Sequence, residues 1–325
     1  MRTRPPHQRS RLAVLTAGAA TLAVATALVL PQSAGAAETA PVGFGAGTTG
    51  GGGASAVTVT TLAAFKTAVT GDAAKVVKVS GLISLSGQVD IGSNTTVLGV
   101  GSASGFTGGG LRLKKVTNVV VRNLNISKPV APADGITVQA STKVWIDHNS
   151  FSSDRDHGKD YYDGLVDITH ASDYVTVSWN TFKDHYKGSL VGHSDSNSSE
   201  DTGHLRVTYH HNWFNNVNSR IPSLRFGTGH FYDNYVVGAD TAVHSRMGAQ
   251  MLVENNVFRS TSVAVTTNRD SDVDGYANLT GNDLGGATTE ISQVGTFTKP
   301  PYSYTAEPAS TVVASVTSGA GTGKL

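Results

Sequence analysis

The chain has 325 residues, with no cysteine, 37 glycines and a formal net charge of +1. Without cysteine, the fold must be held by core packing and backbone hydrogen bonds, which excludes a disulfide scaffold. A charge this close to zero gives no strong overall field, so we expect no nucleic-acid partner, and any attraction for an acidic ligand must be local.

The amino-terminal 36 residues have the order of an export signal. Four arginines lie within residues 2–11, residues 12–30 are uncharged and apolar, and Ala34-Gly35-Ala36 offers a cleavage site flanked by small residues. A membrane anchor is the alternative, because the apolar stretch is within range of a spanning helix. We predict a signal peptide over residues 1–36 and a secreted domain over residues 37–325, with no membrane association after cleavage.

One amphipathic run follows the cleavage site. Leu62, Phe65, Ala68 and Val69 recur at helical spacing after the dipeptide Thr60-Thr61, which can cap a helix. We predict a short helix here that closes the first turn of the fold and protects its open end.

A repeat dominates the middle of the chain. Five segments alternate apolar and other residues and then reach an asparagine and a further apolar residue. The asparagines are Asn149, Asn180, Asn212, Asn234 and Asn256, and a degenerate copy covers residues 119–126. Two strands joined at a bend, with the asparagines 31, 32, 22 and 22 residues apart, predict stacked coils of a parallel β-helix, a β-solenoid in the all-β class, in which the two longer coils carry a loop of about ten residues. Asparagine suits the bend because it tolerates the left-handed backbone region, and its amides are expected to bond along the stack.

The pattern fades beyond Ser260, where threonine, glycine, serine and proline become frequent. We interpret this end as a tail packed along the outside of the solenoid. A solenoid with capped ends has no obvious edge for self-pairing, so we expect a monomer.

Three aspartates are candidate metal ligands. Asp163 and Asp167 are separated by four residues, which places them on one face of an extended strand, and Asp134 lies about one coil earlier. Hard oxygen ligands without cysteine or clustered histidine suit calcium. The alternative is three solvated surface aspartates.

Three cations follow the aspartates in sequence. Arg220 and Arg225 lie five residues apart around Pro222, and Lys187 precedes them. Arginine binds carboxylates in bidentate geometry, which suits a chain of uronic acids better than a neutral sugar. Structural ion pairs with the aspartates are the alternative.

Two nearby pairs of titratable residues invite an acid–base interpretation. They are Asp147 with His148 and His210 with His211. Asp147, His148 and His211 lie within two residues before asparagines of the repeat, so we predict that these side chains make structural hydrogen bonds.

Several longer strings together resemble the pectate lyases of polysaccharide lyase family 1. They are residues 144–149, 160–169, 207–214 and 219–227, and weaker likeness extends over nearly the whole chain after the predicted signal. The resemblance implies a right-handed parallel β-helix and calcium-dependent β-elimination of α-1,4-linked polygalacturonate, giving unsaturated oligogalacturonates.

By position, the resemblance implies that Asp134, Asp163 and Asp167 are calcium ligands. Asp163 stands where some members have glutamate. Pro132 stands where some members have a further acidic ligand, so a water or another side chain must replace it.

The same resemblance implies that Lys187 and Arg225 bind substrate carboxylates and that Arg220 is the catalytic base. Three rival functions stay open at this point: a polygalacturonase-like hydrolase, a lyase acting on methyl-esterified pectin, and a non-catalytic solenoid that binds cell walls. A hydrolase needs a carboxylate pair across the scissile bond, which the basic Arg220 segment fits poorly. A pectin lyase has little use for Asp163 and Asp167.

Overall fold

The computed structural model of the chain describes Met1 and residues 37–325. The predicted signal peptide lies outside the described residues, apart from Met1. No helix among residues 37–325 has the length and apolar character needed to cross a membrane.

The described residues wind through three parallel sheets, which we call the first, second and third sheet in the order in which each turn visits them. The first sheet has ten strands, Ala56–Val59, Lys75–Val79, Thr95–Gly99, Thr117–Arg122, Thr142–Asp147, Asp173–Ser178, Arg206–His210, Thr228–Tyr232, Gln250–Glu254 and Tyr276–Thr280. The second sheet has eight, Leu82–Ser84, Gly105–Thr107, Asn125–Ser127, Ser150–Ser152, Thr181–Lys187, Trp213–Ser219, Tyr235–Val237 and Val257–Arg259. The third sheet has nine, Gln88–Asp90, Gly110–Lys114, Ile136–Gln139, Val166–Thr169, Leu190–Val191, Ser223–Arg225, Thr241–Arg246, Val263–Thr266 and Thr288–Glu290.

This architecture is the predicted parallel β-helix, and its core is built by like residues stacking on like. Phe151, Phe182 and Phe214 occupy one column of the second sheet, with ring centroids 5.0 and 4.5 Å apart. All three are fully buried. Each turn therefore buries its apolar face against the turns above and below it, which is how a repeat that cannot fold alone becomes stable.

The asparagine ladder is also confirmed, with one difference. Asn149 donates its Nδ2 to Asn180 Oδ1 at 3.0 Å, and Asn180 donates in the same way to Asn212 Oδ1 at 3.0 Å. The left-handed backbone belongs to the residue before each asparagine, for example His148 with φ 51° and Trp179 with φ 54°. The ladder asparagines satisfy buried polar groups rather than supplying the unusual backbone conformation.

One helix lies at the amino-terminal end of the solenoid, and another packs on the outside of the second sheet. The predicted helix spans Leu62–Val69, with the Thr61 side chain accepting from Ala64 N, and it buries Phe65 and Val69. A four-residue helix spans Ser198–Asp201, and an unpredicted helix spans Ala309–Gly319.

The expectation of an outside tail beyond Ser260 is wrong as far as Glu290, and it holds for the residues that follow, where the Tyr302 hydroxyl contacts Thr208 and Thr322 N donates to the Ser150 hydroxyl. Val263–Thr266, Tyr276–Thr280 and Thr288–Glu290 continue the first and third sheets. Asn256 Nδ2 donates to Asn282 Oδ1 at 2.9 Å, so the ladder gains a further step 26 residues on. The apolar alternation is weak in this turn because its strands lie at the end of the core, where half-buried polar residues are tolerated.

Candidate active site

The candidate residues lie where the chain passes from the second sheet to the third. Asp134 and Asp163 lie two and three residues before two neighbouring strands of the third sheet, and Asp167 lies within the later one, opposite Thr137 in register. The expectation that Asp163 and Asp167 share one extended strand is wrong, because that strand begins at Val166. Stacking of adjacent turns still brings the three aspartates to the same edge.

Asp134 is fixed from two sides. Its Oδ1 accepts from Gly164 N at 2.9 Å, and its Oδ2 accepts from the Thr137 hydroxyl at 2.6 Å. Only 9% of the residue is exposed. Burial raises the pKa of Asp134 to about 6, and the negative charge of Asp163 adds to the shift.

Asp167 is equally enclosed. Leu190 N, on the next turn, donates to its Oδ1 at 3.0 Å. Burial raises the pKa of Asp167 well above its ordinary value, the charge of Asp134 adds to this, and Arg220 opposes it. Gly164 makes the enclosure possible, since a β-carbon there would lie 2.3 Å from Asp167 Oδ1.

Lys187 connects the cations to the aspartates. Its Nζ donates to Asp163 Oδ1 at 3.1 Å and to Asp160 Oδ1 at 3.3 Å, and its side chain is only 12% exposed. Behind it, His185 Nε2 donates to the Asp163 carbonyl oxygen at 2.6 Å. Burial lowers the pKa of His185 to about 4, with the charge of Lys187 lowering it further, so this imidazole is neutral at ordinary pH.

Carboxylate oxygens that repel one another are a suitable setting for a hard cation. Beyond the effect of burial, the charge of Asp163 raises the pKa of Asp134, and the charges of Asp134 and Asp163 raise the pKa of Asp167. Within residues 37–325, no three Asp, Glu or His side chains are already arranged as a metal site. The donor chemistry fits calcium, whose coordination tolerates irregular oxygen geometry, and Asp163 would have to exchange its contact with Lys187 for the ion.

Arg220 occupies a tight turn between the second and third sheets. It follows the strand Trp213–Ser219 with φ 59°, and its carbonyl oxygen accepts from Ser189 N at 2.6 Å. A β-carbon on Gly188 would lie 2.6 Å from that oxygen. The missing side chain at Gly188 therefore lets the Arg220 turn stack directly on the Lys187 turn.

Arg225 lies farther along, at the end of the strand Ser223–Arg225. Its Nη1 donates to Gly192 O at 2.8 Å, and its Nε donates to Asp195. The alternative of structural ion pairs with the candidate aspartates thus holds for Lys187, which contacts Asp163, while Arg225 pairs with a loop residue instead.

Sequence reasoning missed three polar residues at this edge, namely Thr137, His185 and Asp195. Thr137 has a signal, because it alternates with buried apolar residues one position outside the core. His185 and Asp195 have none, since their partners are set by how separate turns stack.

The acid–base candidates on the first sheet make structural contacts as predicted. Asp147 accepts from Arg122 Nε at 2.6 Å and from the Ser178 hydroxyl at 2.6 Å, and it contacts His148 Nδ1 at 2.6 Å. His210 contacts His211 through their Nδ1 atoms at 3.0 Å. These groups lie on a different sheet from the candidate aspartates.

Comparison with known proteins shows the family. A family model described as pectate lyase matches residues 9–325. Pectate lyase A of Aspergillus niger is 52% identical over 277 residues, covering 85% of this chain and 84% of that protein. Pectate lyase B of Colletotrichum gloeosporioides is 53% identical over 283 residues, covering 86% and 85%.

A solved structure gives the same result for the fold. The pectate lyase of Bacillus sp. N165, crystallised with trigalacturonate, superposes with a TM-score of 0.81 at 34% identity. The match covers 87% of this chain and 99% of that one. The chain therefore belongs to the pectate lyase family and is a polysaccharide lyase.

Proposed function

We propose that this chain is a secreted enzyme that cleaves α-1,4-linked polygalacturonate by calcium-dependent β-elimination and releases unsaturated oligogalacturonates. The observation that carries the proposal is the cluster of the buried Asp134 and Asp167 with the partly exposed Asp163, which contacts Lys187, near the charge of Arg220. A site that combines clustered carboxyl groups with neighbouring cations suits a metal ion and a polyanionic substrate together.

Asp134, Asp163 and Asp167 would hold calcium through their carboxylate oxygens. The bound ion would neutralise a substrate carboxylate and stabilise the negative charge that develops beside it. Thr137 and the Leu190 backbone amide keep Asp134 and Asp167 oriented, so two of the ligands need little reorganisation. A water or another side chain would complete the ligand set where Pro132 offers no acid.

Lys187 and Arg225 would bind substrate carboxylates. The proton on the carbon beside a uronate carboxylate is poorly acidic, because the negative carboxylate opposes the charge that forms when the proton leaves. An ammonium group in contact with that carboxylate removes part of this cost in the transition state. Lys187 is mostly buried and already bonded to carboxylates, which supports this role.

Arg220 would accept the proton. The remaining electron pair then forms a carbon–carbon double bond, and the glycosidic oxygen leaves with its bonding pair and is protonated by water. A guanidinium ordinarily keeps its proton in neutral solution, so a base role for Arg220 requires alkaline conditions. The rate should rise well above neutral pH, and a maximum near about pH 5 would count against Arg220 as the base.

The test is the product formed from polygalacturonate with and without a chelator. Elimination creates a conjugated double bond that absorbs in the ultraviolet, and hydrolysis creates reducing ends without that absorbance. Calcium-dependent absorbance supports the lyase, reducing ends alone support a hydrolase, and neither product supports a binding solenoid. Methyl-esterified pectin as a second substrate distinguishes a pectin lyase, which would prefer it and retain activity in chelator.

Export and oligomeric state belong to the same proposal. The arginines and the apolar stretch before Ala36 support cleavage of a signal peptide. Amino-terminal sequencing of protein from the culture medium should begin at Ala37. Light scattering should give the mass of a single mature chain.

A further inference from the structure

Asp195 lies between two guanidinium groups on neighbouring turns. Arg225 and Arg246 are register partners in adjacent strands of the third sheet. Arg225 Nε donates to Asp195 Oδ1, and Arg246 Nη2 donates to Asp195 Oδ1 and Oδ2 at 3.2 and 3.1 Å. The arginine side chains are only 11% and 12% exposed, so one carboxylate serves two largely buried cations.

The two arginines would repel each other without this carboxylate. Burial lowers the pKa of Arg246, and the positive charge of Arg225 lowers it further. Partial burial opposes ionisation of Asp195, but the bonds and charges of both arginines outweigh it and lower the pKa of Asp195. Asp195 is therefore ionised at neutral pH and offsets the repulsion between the pair.

The bonds also fix how Arg225 is presented. Its Nε is bonded to Asp195 and its Nη1 donates to Gly192 O at 2.8 Å. Its Nη2 has no hydrogen-bond acceptor among residues 37–325, so this nitrogen stays available to an external carboxylate. A guanidinium is a rigid planar fork, and fixing two of its nitrogens fixes the direction of the third.

The segment that carries Asp195 is itself anchored. Gly192 N donates to Ile168 O at 2.9 Å, on the preceding turn. Asn197 Nδ2 donates to Asp201 Oδ2 at 2.9 Å, and the buried Asp201 accepts from Ala171 N at 2.7 Å. The loop is held at both sides of Asp195, so the carboxylate is presented to the arginines without further ordering.

We infer that Asp195 is a positioning residue for substrate binding, which orients Arg225 and holds it beside Arg246 so that Arg225 can bind a uronate carboxylate. The inference rests on the proposed function of Arg225. Charge attraction alone predicts the opposite effect of removing Asp195, because loss of a negative charge near a polyanion should by itself strengthen binding. Orientation and overall charge therefore predict changes of opposite sign in KM.

The experiment measures kcat and KM on polygalacturonate for Asp195→Ala and Asp195→Asn. Asp195→Ala should raise KM about fivefold to thirtyfold with kcat within about twofold, because losing an interaction that is equally strong in the ground state and the transition state changes KM alone. Asp195→Asn keeps the shape without the charge and should raise KM less. Asp272→Ala is the matched control, since Asp272 is exposed and has no ion pair in the described part of the chain, and its KM should stay equal or fall.

A double-mutant cycle separates positioning from a merely structural role. In an Arg225→Ala background, adding Asp195→Ala should change KM by less than about twofold, because the orientation of Arg225 no longer matters. An unchanged or lower KM in folded Asp195→Ala, or the same increase with and without Arg225, overturns the inference.

Failure of the proposed function gives a different result. Wild-type protein that forms no unsaturated product contradicts the lyase, whatever Asp195 does. Calorimetric titration with trigalacturonate then tests Asp195 without turnover. Weaker binding by Asp195→Ala than by wild type supports the inference, and equal binding, or no binding by either protein, overturns it.

Discussion

Gly164 lies so close to Asp167 that a β-carbon at position 164 would sit 2.3 Å from Asp167 Oδ1 and 2.6 Å from its Cγ. The same glycine donates its backbone N–H to Asp134 at 2.9 Å. One residue without a side chain thus connects two of the proposed calcium ligands, and its backbone has no left-handed requirement of its own.

Gly164→Ala should therefore disturb the site more than the fold. The added methyl group would push the Asp167 carboxylate away, and activity at limiting calcium should fall about tenfold or more, in line with the loss of a ligand orientation. Thermal unfolding should shift by no more than about 4 °C, since the clash is with a side chain that can rotate. Gly158→Ala is the control, because a β-carbon there meets nothing within 4 Å. Equal activity of the two variants would contradict this account.

Lys187 is expected to act on the transition state. Lys187→Ala should lower kcat by about a hundredfold, the usual cost of removing one group that stabilises developing negative charge. Lys183→Ala removes a lysine from the same strand, where the side chain is 58% exposed, and should leave kcat unchanged. A rise in KM with unchanged kcat for Lys187→Ala would contradict this prediction and show that Lys187 contributes to substrate binding rather than to the chemical step.

Asp233 should lower the stability of the fold as the pH rises from acid to neutral. It is fully buried on the first-sheet side, accepts from Glu307 N at 2.8 Å, and lies 3.7 Å from His211 Nε2. Burial raises the pKa of Asp233 to about 8, and the charges of Glu307 and Glu254 contribute.

The raised pKa of Asp233 determines how stability depends on pH. A carboxyl with a raised pKa stays protonated in the folded chain while it ionises freely in the unfolded chain, so the free energy of unfolding falls as pH rises from about 4 to about 8. Between pH 5 and pH 9, Asp233→Asn should gain about 4 kcal/mol relative to wild type in urea unfolding. The exposed control Asp156→Asn should follow wild type. Parallel pH curves for wild type and Asp233→Asn would refute this.

The regular part of the fold can be predicted from the sequence because each stacked turn repeats the same pattern of apolar residues and asparagine. The spacing of Asn149, Asn180, Asn212, Asn234 and Asn256 predicts the turns, and the amides do bond along the stack. The turn at Asn282 escapes prediction, since its ladder bond follows a 26-residue step and its strands alternate weakly.

The candidate site can be predicted from the sequence only in part. The motifs identify Asp134, Asp163, Asp167, Lys187, Arg220 and Arg225 as candidates, but the partner of Arg225 depends on a loop that returns from the preceding turn. Nothing in the spacing of residues 193–203 predicts that Asp195 meets two arginines. The burial of Asp167 likewise depends on the absence of a side chain at Gly164, which is a property of packing.

The most direct test of the account is the calcium dependence of product formation by Asp167→Asn. If the three carboxylates hold the ion, the calcium concentration for half-maximal ultraviolet absorbance change should rise at least about tenfold, the cost of losing one charged ligand. Asp156→Asn, which removes an exposed carboxylate from the neighbouring loop, should match wild type. Coincident calcium curves for Asp167→Asn and wild type would contradict the central claim.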